Sequence, residues 1–502
     1  IEQAVEMIDL VGSDSLKVHI DTFHMNIEEA NIADGLRTYG RHIGHVHFVD
    51  SNRRPAGCGH MDYAPIAAAL KEVGYTTFTS GKWHAAAHRD PPAHSLPENR
   101  GFDRSTVVRT HIDSYWKVLS NCDIYQDGKL LIPGDNDNTT LKNPYQPEKD
   151  FYTTEYFTDV ALEYIDDALK GGKPFFLYLP FTAAHWPLHA PDEAIEAYKG
   201  KFSAGWDVLR KKRLERMKEL QVIDPEVVLS PRHPNVPAWQ DEPNKAWQER
   251  RMEVYAAQVT LMDKVIGEVI DHLRKSDQLE NTLTFFTIDN GGCHVEYGAN
   301  RKGDYLPEKT RDGRTMRPGN LTDLMPGPEI TYQSYGYGWA NLSNTPFRLF
   351  KQYDHEGGIH TPMIAHWPKG IRNSGSVCGT LSHLVDLMPT ILEASKVKPT
   401  EQSGGAQRIA WDGRSILPSL PGKEQSDPKM LFFHHARGKA IRMGSWKLVF
   451  NKDGKKQAEW ELYDLSKDPN ETNDLAKREP ERVRRMAFLW EKRESSQSDR
   501  AK

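Results

Sequence analysis

No stretch of this chain approaches the roughly 20 consecutive apolar residues that a helix needs to cross a bilayer, so no membrane segment is predicted. Neither sign of charge dominates. Against 65 Lys and Arg stand 70 Asp and Glu, a net charge of -5 over 502 residues, which gives no electrostatic case for a nucleic-acid or membrane-surface partner. Cysteine is scarce: Cys58, Cys122, Cys293 and Cys378 are scattered, with no C-x-x-C pair and no disulfide-framework spacing, and they leave the redox compartment open. There is no internal repeat or low-complexity tract. The chain opens at Ile1 without an initiator Met, a basic n-region or an apolar h-region, so it shows no signal peptide and reads as a fragment or processed product.

What is present fits a globular α/β chain. A hydrophobic content of 38% with 27% charged and 10% aromatic residues suits a sizeable core, and the length allows about two to four domains. The implied ligand is a small molecule or glycan. Residues 1–75 alternate strand-like runs, Leu16–Ile20 and Ile43–Val49, with helical patterns over Ile27–Tyr39 and Ala64–Val73, the order of a parallel sheet. Beyond Phe151 the pattern strengthens. Phe157, Val160, Ala161, Tyr164 and Ile165 recur at helical spacing before Pro174–Phe181, an apolar run suited to a strand buried on both faces. Met252–Leu273 then predicts a helix and Thr282–Ile288 a strand, which stops at Asp289-Asn290-Gly291-Gly292. Residues 300–345 read as a surface excursion, Lys211–Lys218 as a solvated helix face and Gly405–Ser426 as a linker. In the last part Ala440–Val449 and Trp460–Leu465 predict antiparallel strands, and Glu481–Lys492 a closing helix.

Four short constellations carry chemistry: Gly81-Lys82-Trp83-His84, His185-Trp186-Pro187-Leu188, Asp289-Asn290-Gly291-Gly292, and Lys351 followed by Glu356-Gly357-Gly358-Ile359-His360. Ammonium groups neutralise a tetrahedral oxyanion, imidazoles donate hydrogen bonds and protons, and Asp beside Asn offers hard oxygens to calcium or magnesium. Sulfuryl or phosphoryl transfer is the implied reaction. Each element alone has a plainer reading, since Asp-Asn-Gly-Gly is first a turn, His before Pro a packed turn residue, and Lys82 beside Trp83 a cation–π contact.

Taken in this order, the four motifs resemble a type I, formylglycine-dependent sulfatase of the arylsulfatase family, within the alkaline-phosphatase-like superfamily, over about residues 70–490. The runs Asn344-Thr345-Pro346-Phe347-Arg348 and Trp460-Glu461-Leu462-Tyr463-Asp464-Leu465 resemble it too. The resemblance implies an α/β sandwich with a mostly parallel central sheet, a small C-terminal antiparallel-sheet subdomain, and hydrolysis of a small-molecule or glycan sulfate ester. By it, Lys82 and His84 contact the sulfate and the nucleophile. His185 binds sulfate or protonates the leaving oxygen, Lys351 binds sulfate from the other side, and Asp289 and Asn290 are calcium ligands. Family habit implies a periplasmic or secreted protein.

The family's nucleophile, a formylglycine made in a C/S-x-P/A-x-R motif, has no counterpart. None of the four cysteines has Arg four residues on, Ser95-Leu96-Pro97-Glu98-Asn99-Arg100 places it one too far, and the family's opening strand with paired aspartates is absent. The expectation is therefore a sulfatase-family chain that is itself inactive and whose calcium site is incomplete. A phosphoesterase of the same superfamily and a non-catalytic sulfated-glycan-binding protein are the alternatives.

Where that opening strand belongs, His19-Ile20-Asp21-Thr22-Phe23-His24 and Gly44-His45-Val46-His47 through Arg53 resemble a fragment of a xylose-isomerase-like sugar epimerase barrel. By that resemblance Asp21 and His47 are divalent-metal ligands, while His24 and Arg53 bind the sugar. Less than a third of a barrel is covered, so epimerase activity is not expected. The domains read as 1–75 barrel fragment, 76–404 N-terminally truncated catalytic domain, 405–426 linker and 427–502 C-terminal subdomain, a chimera joined near Leu70–Tyr75.

Overall fold

The computed structural model describes residues 18–21, 43–47, 70–71, 73–84, 96–108, 112, 114–116, 124–132, 151–299, 306, 308–310, 312–372, 374–397, 402–403, 406–407, 412–420, 430–435, 438–450 and 459–500. The chain forms two compact units, one of Ile1–Met61, Met430–Leu462 and Asp474–Lys502, the other of Asp62–Lys429 and Tyr463–Asn473. In the first, β1 (Val18–Asp21) and β2 (Ile43–His47) pair in parallel, as the βαβ pattern predicts. The helices expected at Ile27–Tyr39 and over most of Ala64–Val73 lie outside the described residues.

The larger unit is built on five strands, β3 (Thr76–Lys82), β4 (Arg104–Val108), β5 (Ile124–Gln126), β6 (Lys129–Ile132) and β7 (Phe175–Tyr178), in the order β6-β5-β4-β3-β7. Around β3 the sheet is parallel, and the hairpin β5–β6 extends it antiparallel. Strand β3 lies inside the sheet, between β4 and β7, although five of its seven residues are polar. Two of its buried hydroxyls are satisfied locally: Thr77 Oγ1 donates to Gly101 O (2.8 Å) and Ser80 Oγ to Phe157 O (2.6 Å). The acceptor Phe157 belongs to α1 (Thr153–Lys170), whose apolar stripe covers the sheet, with Tyr164 stacked on Phe78 at 5.4 Å.

Strand β7 departs from expectation. All four of its residues are half-buried rather than enclosed on both faces, because it pairs only with β3 among the described strands. The run after it, Gly205–Glu219, is helix α2, and Lys211 and Lys212 on it are exposed as expected. Helix α3 (Lys245–Lys275) begins seven residues before Met252. Its first turns look polar yet hold the buried Arg251, whose guanidinium lies over Trp247 (4.3 Å) and donates to Ser334 O (2.6 Å) and Glu296 (2.8 Å). An apolar pattern misses a buried arginine each of whose three nitrogens donates a hydrogen bond, Nη1 to Gln248.

After α3, β8 (Thr284–Thr287) pairs antiparallel with β9 (Met363–His366) in a separate two-stranded ladder. Its apolar face is partly open, with Ile364 60% exposed, so this strand too is not the enclosed one expected. The supposed surface excursion at 300–345 is corrected in its second half. Helix α4 (Gly336–Ser343) places Trp339 in the core beside Trp206 and Phe350, and Tyr332 is fully buried, the burial of large rings outweighing a Gly-rich composition. Residues 412–420, within the expected linker, are docked: Arg414 N donates to Asp386 Oδ1 and Ile416 N to Thr390 Oγ1, both 2.9 Å, and Ile416 is buried.

The C-terminal part of the smaller unit is a four-stranded sheet, β10 (Met430–His435), β11 (Gly438–Met443), β12 (Trp446–Phe450) and β13 (Trp460–Asp464). The run Ala440–Val449 is therefore a hairpin rather than one strand, turning at Gly444, where φ is +59°. Helix α5 (Pro480–Arg500) closes it, setting Met486 and Trp490 on Ile441, Leu448 and Leu462.

Candidate functional site

Three strand ends carry the sequence-predicted residues. Lys82 is the last residue of β3, and the strand can end there only because residue 81 is glycine: its φ is +132° and any Cβ would overlap the Pro180 carbonyl oxygen. That oxygen accepts from Lys82 N at 2.8 Å. Trp83 is buried edge-on against Phe102 (5.7 Å), which leaves Lys82 and His84 half-buried on either side of it.

The segment leaving β7 carries His185. Its backbone is pinned by the buried Tyr115 hydroxyl, which donates to Thr182 O (3.0 Å) and His185 O (2.9 Å). The His185 ring lies 4.1 Å from the Trp186 ring, with Nδ1 2.8 Å from Trp186 O, so Nδ1 carries the proton toward that carbonyl. Trp186 in turn packs edge-on against Tyr297 (5.2 Å), and the Lys351 ammonium lies 6.0 Å from its ring centre. This indole is the meeting point of two residues 166 apart in sequence. A second imidazole in the run, His189, is fully buried with Nε2 2.7 Å from Thr331 O, and burial pushes it down to about 4.

The third end is β8. Its partner β9 starts at Met363 opposite Thr287, so the turn after β8 and the turn before β9 are brought to the same end of one ladder. There Gly291 N donates to Gly358 O (3.0 Å), and a Cβ on Gly291 would overlap the Gly357 oxygen. Gly292 N donates to Asn344 Oδ1 (2.8 Å), Asn344 Nδ2 to Leu349 O (2.9 Å), and Lys351 N to Gly292 O (3.1 Å). The motifs Asp289–Gly292, Lys351 and Glu356–His360 thus form one backbone-bonded block. Asn344 is the tie that sequence reading left without a role, although its run was singled out.

The structure therefore brings His185 and Lys351 to the Trp186 ring and bonds Lys351 to the turn that carries Asp289 and Asn290, while Lys82 is joined by its amide to Pro180, five residues before His185. Of the barrel-like residues, Asp21 and His47 are register partners across β1 and β2, while His24 and Arg53 lie outside the described residues. Cys293 has Lys351 and Asp289 as its charged neighbours; burial pushes its thiol up, outweighing the pull of the Lys351 ammonium, so it is held as a thiol rather than a thiolate. His294 is buried against Phe350 (4.9 Å) and Tyr337 (4.8 Å) and pushed down to about 4 by that burial.

Calcium does not fit the groups in view. It takes about six to eight oxygens. Asp289 is exposed, and no group of three or more His, Cys, Asp or Glu suited to a metal occurs among the described residues. What the motifs offer an oxyanion is the Lys82 and Lys351 ammonium groups and the imidazole N–H groups of His84 and His185, beside the carboxylates of Asp289 and Glu356.

Comparison with known proteins agrees with this architecture. The Sulfatase family model matches residues 40–397, and that of the N-sulphoglucosamine sulphohydrolase C-terminal region matches residues 347–497. An uncharacterised sulfatase of Schizosaccharomyces pombe is 32% identical over 450 residues, 85% of this chain and 76% of that protein. The arylsulfatase of Klebsiella aerogenes is 27% identical, over 72% of this chain and 74% of that one. The crystal structure of Ps i-CgsB with k-i-k-neocarrahexaose shares the alkaline-phosphatase-like fold, with a TM-score of 0.55 at 21% identity over 89% of this chain and 77% of that one. A separate likeness of 43% identity covers 74 residues, 15% of this chain, in the D-psicose 3-epimerase of Enterocloster bolteae, a quarter of that enzyme, and accounts for the barrel-like segment. With the fold, both family models and relatives matched over about three quarters of their length in agreement, the chain belongs to the sulfatase family, the hydrolases of sulfuric esters.

Proposed function

We propose that this chain recognises the sulfate ester of a sugar through Lys82, His84, His185 and Lys351, and binds it without turnover. The observation that carries this reading is the Trp186 junction, where Lys351, tied by its amide to Gly292, meets the ring beside His185. A sulfate monoester is a tetrahedral monoanion. Two ammonium groups neutralise it from two sides while an imidazole donates to an ester or peripheral oxygen. Ps i-CgsB, which shares the fold, is in complex with an oligosaccharide, and this supports a sugar as the group carrying the sulfate.

Turnover needs a nucleophile. The 502 residues contain no C/S-x-P/A-x-R run, and Cys293, the cysteine beside Lys351, is kept protonated by burial. Without that group the covalent route is lost and only binding remains. The barrel-like segment takes the sequence position of the family's opening strand, which makes a natural or artificial fusion the origin we favour.

The test is calorimetric titration of the purified chain with a sulfated oligosaccharide and its desulfated counterpart, beside turnover of 4-nitrophenyl sulfate and 4-nitrophenyl phosphate. Binding of the sulfated sugar alone, with neither ester hydrolysed, is expected. Equal binding of both sugars removes sulfate recognition from the reading. Catalytic release of nitrophenol removes the claim of no turnover, and faster release from phosphate points to a phosphoesterase.

A further inference from the structure

Between Tyr463 and Asn473 the chain belongs to the larger unit, while the residues on both sides of this stretch belong to the smaller one. Within it Glu471 is fully buried and held at a φ of +58°, a left-handed conformation that costs a non-glycine residue free energy and persists where surroundings enforce it. The surroundings are specific. Arg348 Nη1 donates to Glu471 O (2.7 Å) and to the Tyr463 hydroxyl (3.3 Å), Asn470 Nδ2 donates to Val228 O, and the Glu471 carboxylate Oε2 accepts from Glu356 N at 2.8 Å.

That last bond reaches the candidate site. Glu356 opens the turn Glu356–Ile359, is itself buried, and its own carboxylate Oε2 lies 2.7 Å from His360 Nδ1, whose ring stacks on Phe347 at 4.6 Å. The next two residues are the glycines against which Gly291 is seated: Gly357 N donates to Arg348 O (3.1 Å), and Gly358 O accepts from Gly291 N (3.0 Å). Gly292 then accepts from Lys351 N. A continuous series of hydrogen bonds therefore runs from a residue 115 positions away in sequence to the block that carries Asp289, Asn290 and Lys351.

We propose that Glu471 is a positioning residue for the anion site. By holding the Glu356 amide it seats the Gly357–Gly358 turn, and through it the Gly291–Gly292 backbone, at the height that places Lys351. The proposal rests on the sulfate-binding reading for its ligand but not for its geometry. A charge-assisted bond to a buried amide is among the stronger single hydrogen bonds, and its loss frees the turn on which the block rests.

The test uses the full chain as wild type, Glu471→Ala and Glu471→Gln, with two readouts: hydrogen–deuterium exchange of peptides spanning 286–294, 354–362 and, as control, α1, and calorimetric binding of inorganic sulfate. In Glu471→Ala, exchange is expected to rise about tenfold in both site peptides but not in α1, with sulfate affinity about tenfold weaker; Glu471→Gln, which keeps an acceptor oxygen, restores both. If Glu471→Ala fails to fold, Glu471→Asp, which withdraws the carboxylate by one methylene, is expected to show the same two local rises. A rise confined to 354–362, or one shared equally by α1 while the folded fraction binds sulfate unchanged, overturns the proposal and leaves Glu471 a stability residue. A wild type that binds no sulfate removes the anion-site reading, and the exchange pattern still decides the positioning role.

Discussion

The ladders β1–β2 and β8–β9 are alike in outline: two short strands each, with a carboxylate residue at or just beyond a strand end, Asp21 in one and Asp289 in the other. They differ in direction, β1–β2 being parallel and β8–β9 antiparallel. Beyond β8 the backbone is bonded at Gly291, Gly292 and Lys351, braced by Asn344, and seated on glycines that tolerate no side chain. Strands β1 and β2 bring Asp21 opposite His47 in register, but the sugar-binding residues of the same resemblance, His24 and Arg53, fall outside the described residues. A ligand-type residue at a strand end becomes part of a site when the backbone behind it has one allowed position.

The largest effect that would sharpen this contrast is at Gly291. Gly291→Val drives a side chain into the Gly357 carbonyl and is expected to destabilise the larger unit by about 3 kcal/mol in urea denaturation. A change below about 0.5 kcal/mol would show the block to be soft. Next comes Lys351→Ala, expected to weaken binding of a sulfated oligosaccharide about 30-fold, the loss of roughly 2 kcal/mol of charge-assisted bonding. In the same titration Asp21→Asn and His47→Ala should bind as wild type, and any weakening in those variants breaks the contrast outright.

A smaller effect is set by pH. His189 and His294 are buried neutral with values near 4 against an ordinary 6.5, so the unfolded chain takes up protons that the folded one refuses. Their stabilising contribution is complete above about pH 6.5 and is lost as pH falls toward 4. Melting temperature should decline across that window, less steeply in His294→Asn; a melting temperature that rises on acidification there would contradict the burial of these rings. Calcium is expected to do least: addition of about 1 mM calcium, or of EDTA, should leave melting unchanged, since no cluster suited to a metal occurs among the described residues and a ligand that does not bind the folded state gives no linkage.

Much of the fold was legible. The helical repeat from Phe157 to Ile165 and the apolar run after it fall where α1 and β7 lie, and the polar stop at Asp289 does end a strand. The departures share a cause. Arg251 in α3, Trp339 in α4 and the docked residues 412–420 are buried by partners far along the chain, which local composition cannot register. The half-exposure of β7 and β8 likewise depends on which strands stand beside them.

In the candidate site, sequence by itself determined the residue types, their order and the missing nucleophile, because each motif is a short run whose chemistry is local. Only the tertiary structure decided that Lys351 meets Trp186, that Asn344 braces Gly292, and that Glu471 reaches Glu356. Those pairings are hydrogen bonds and ring contacts between residues 52 to 165 positions apart, and such contacts exist only once the core has brought their backbones within a few ångströms.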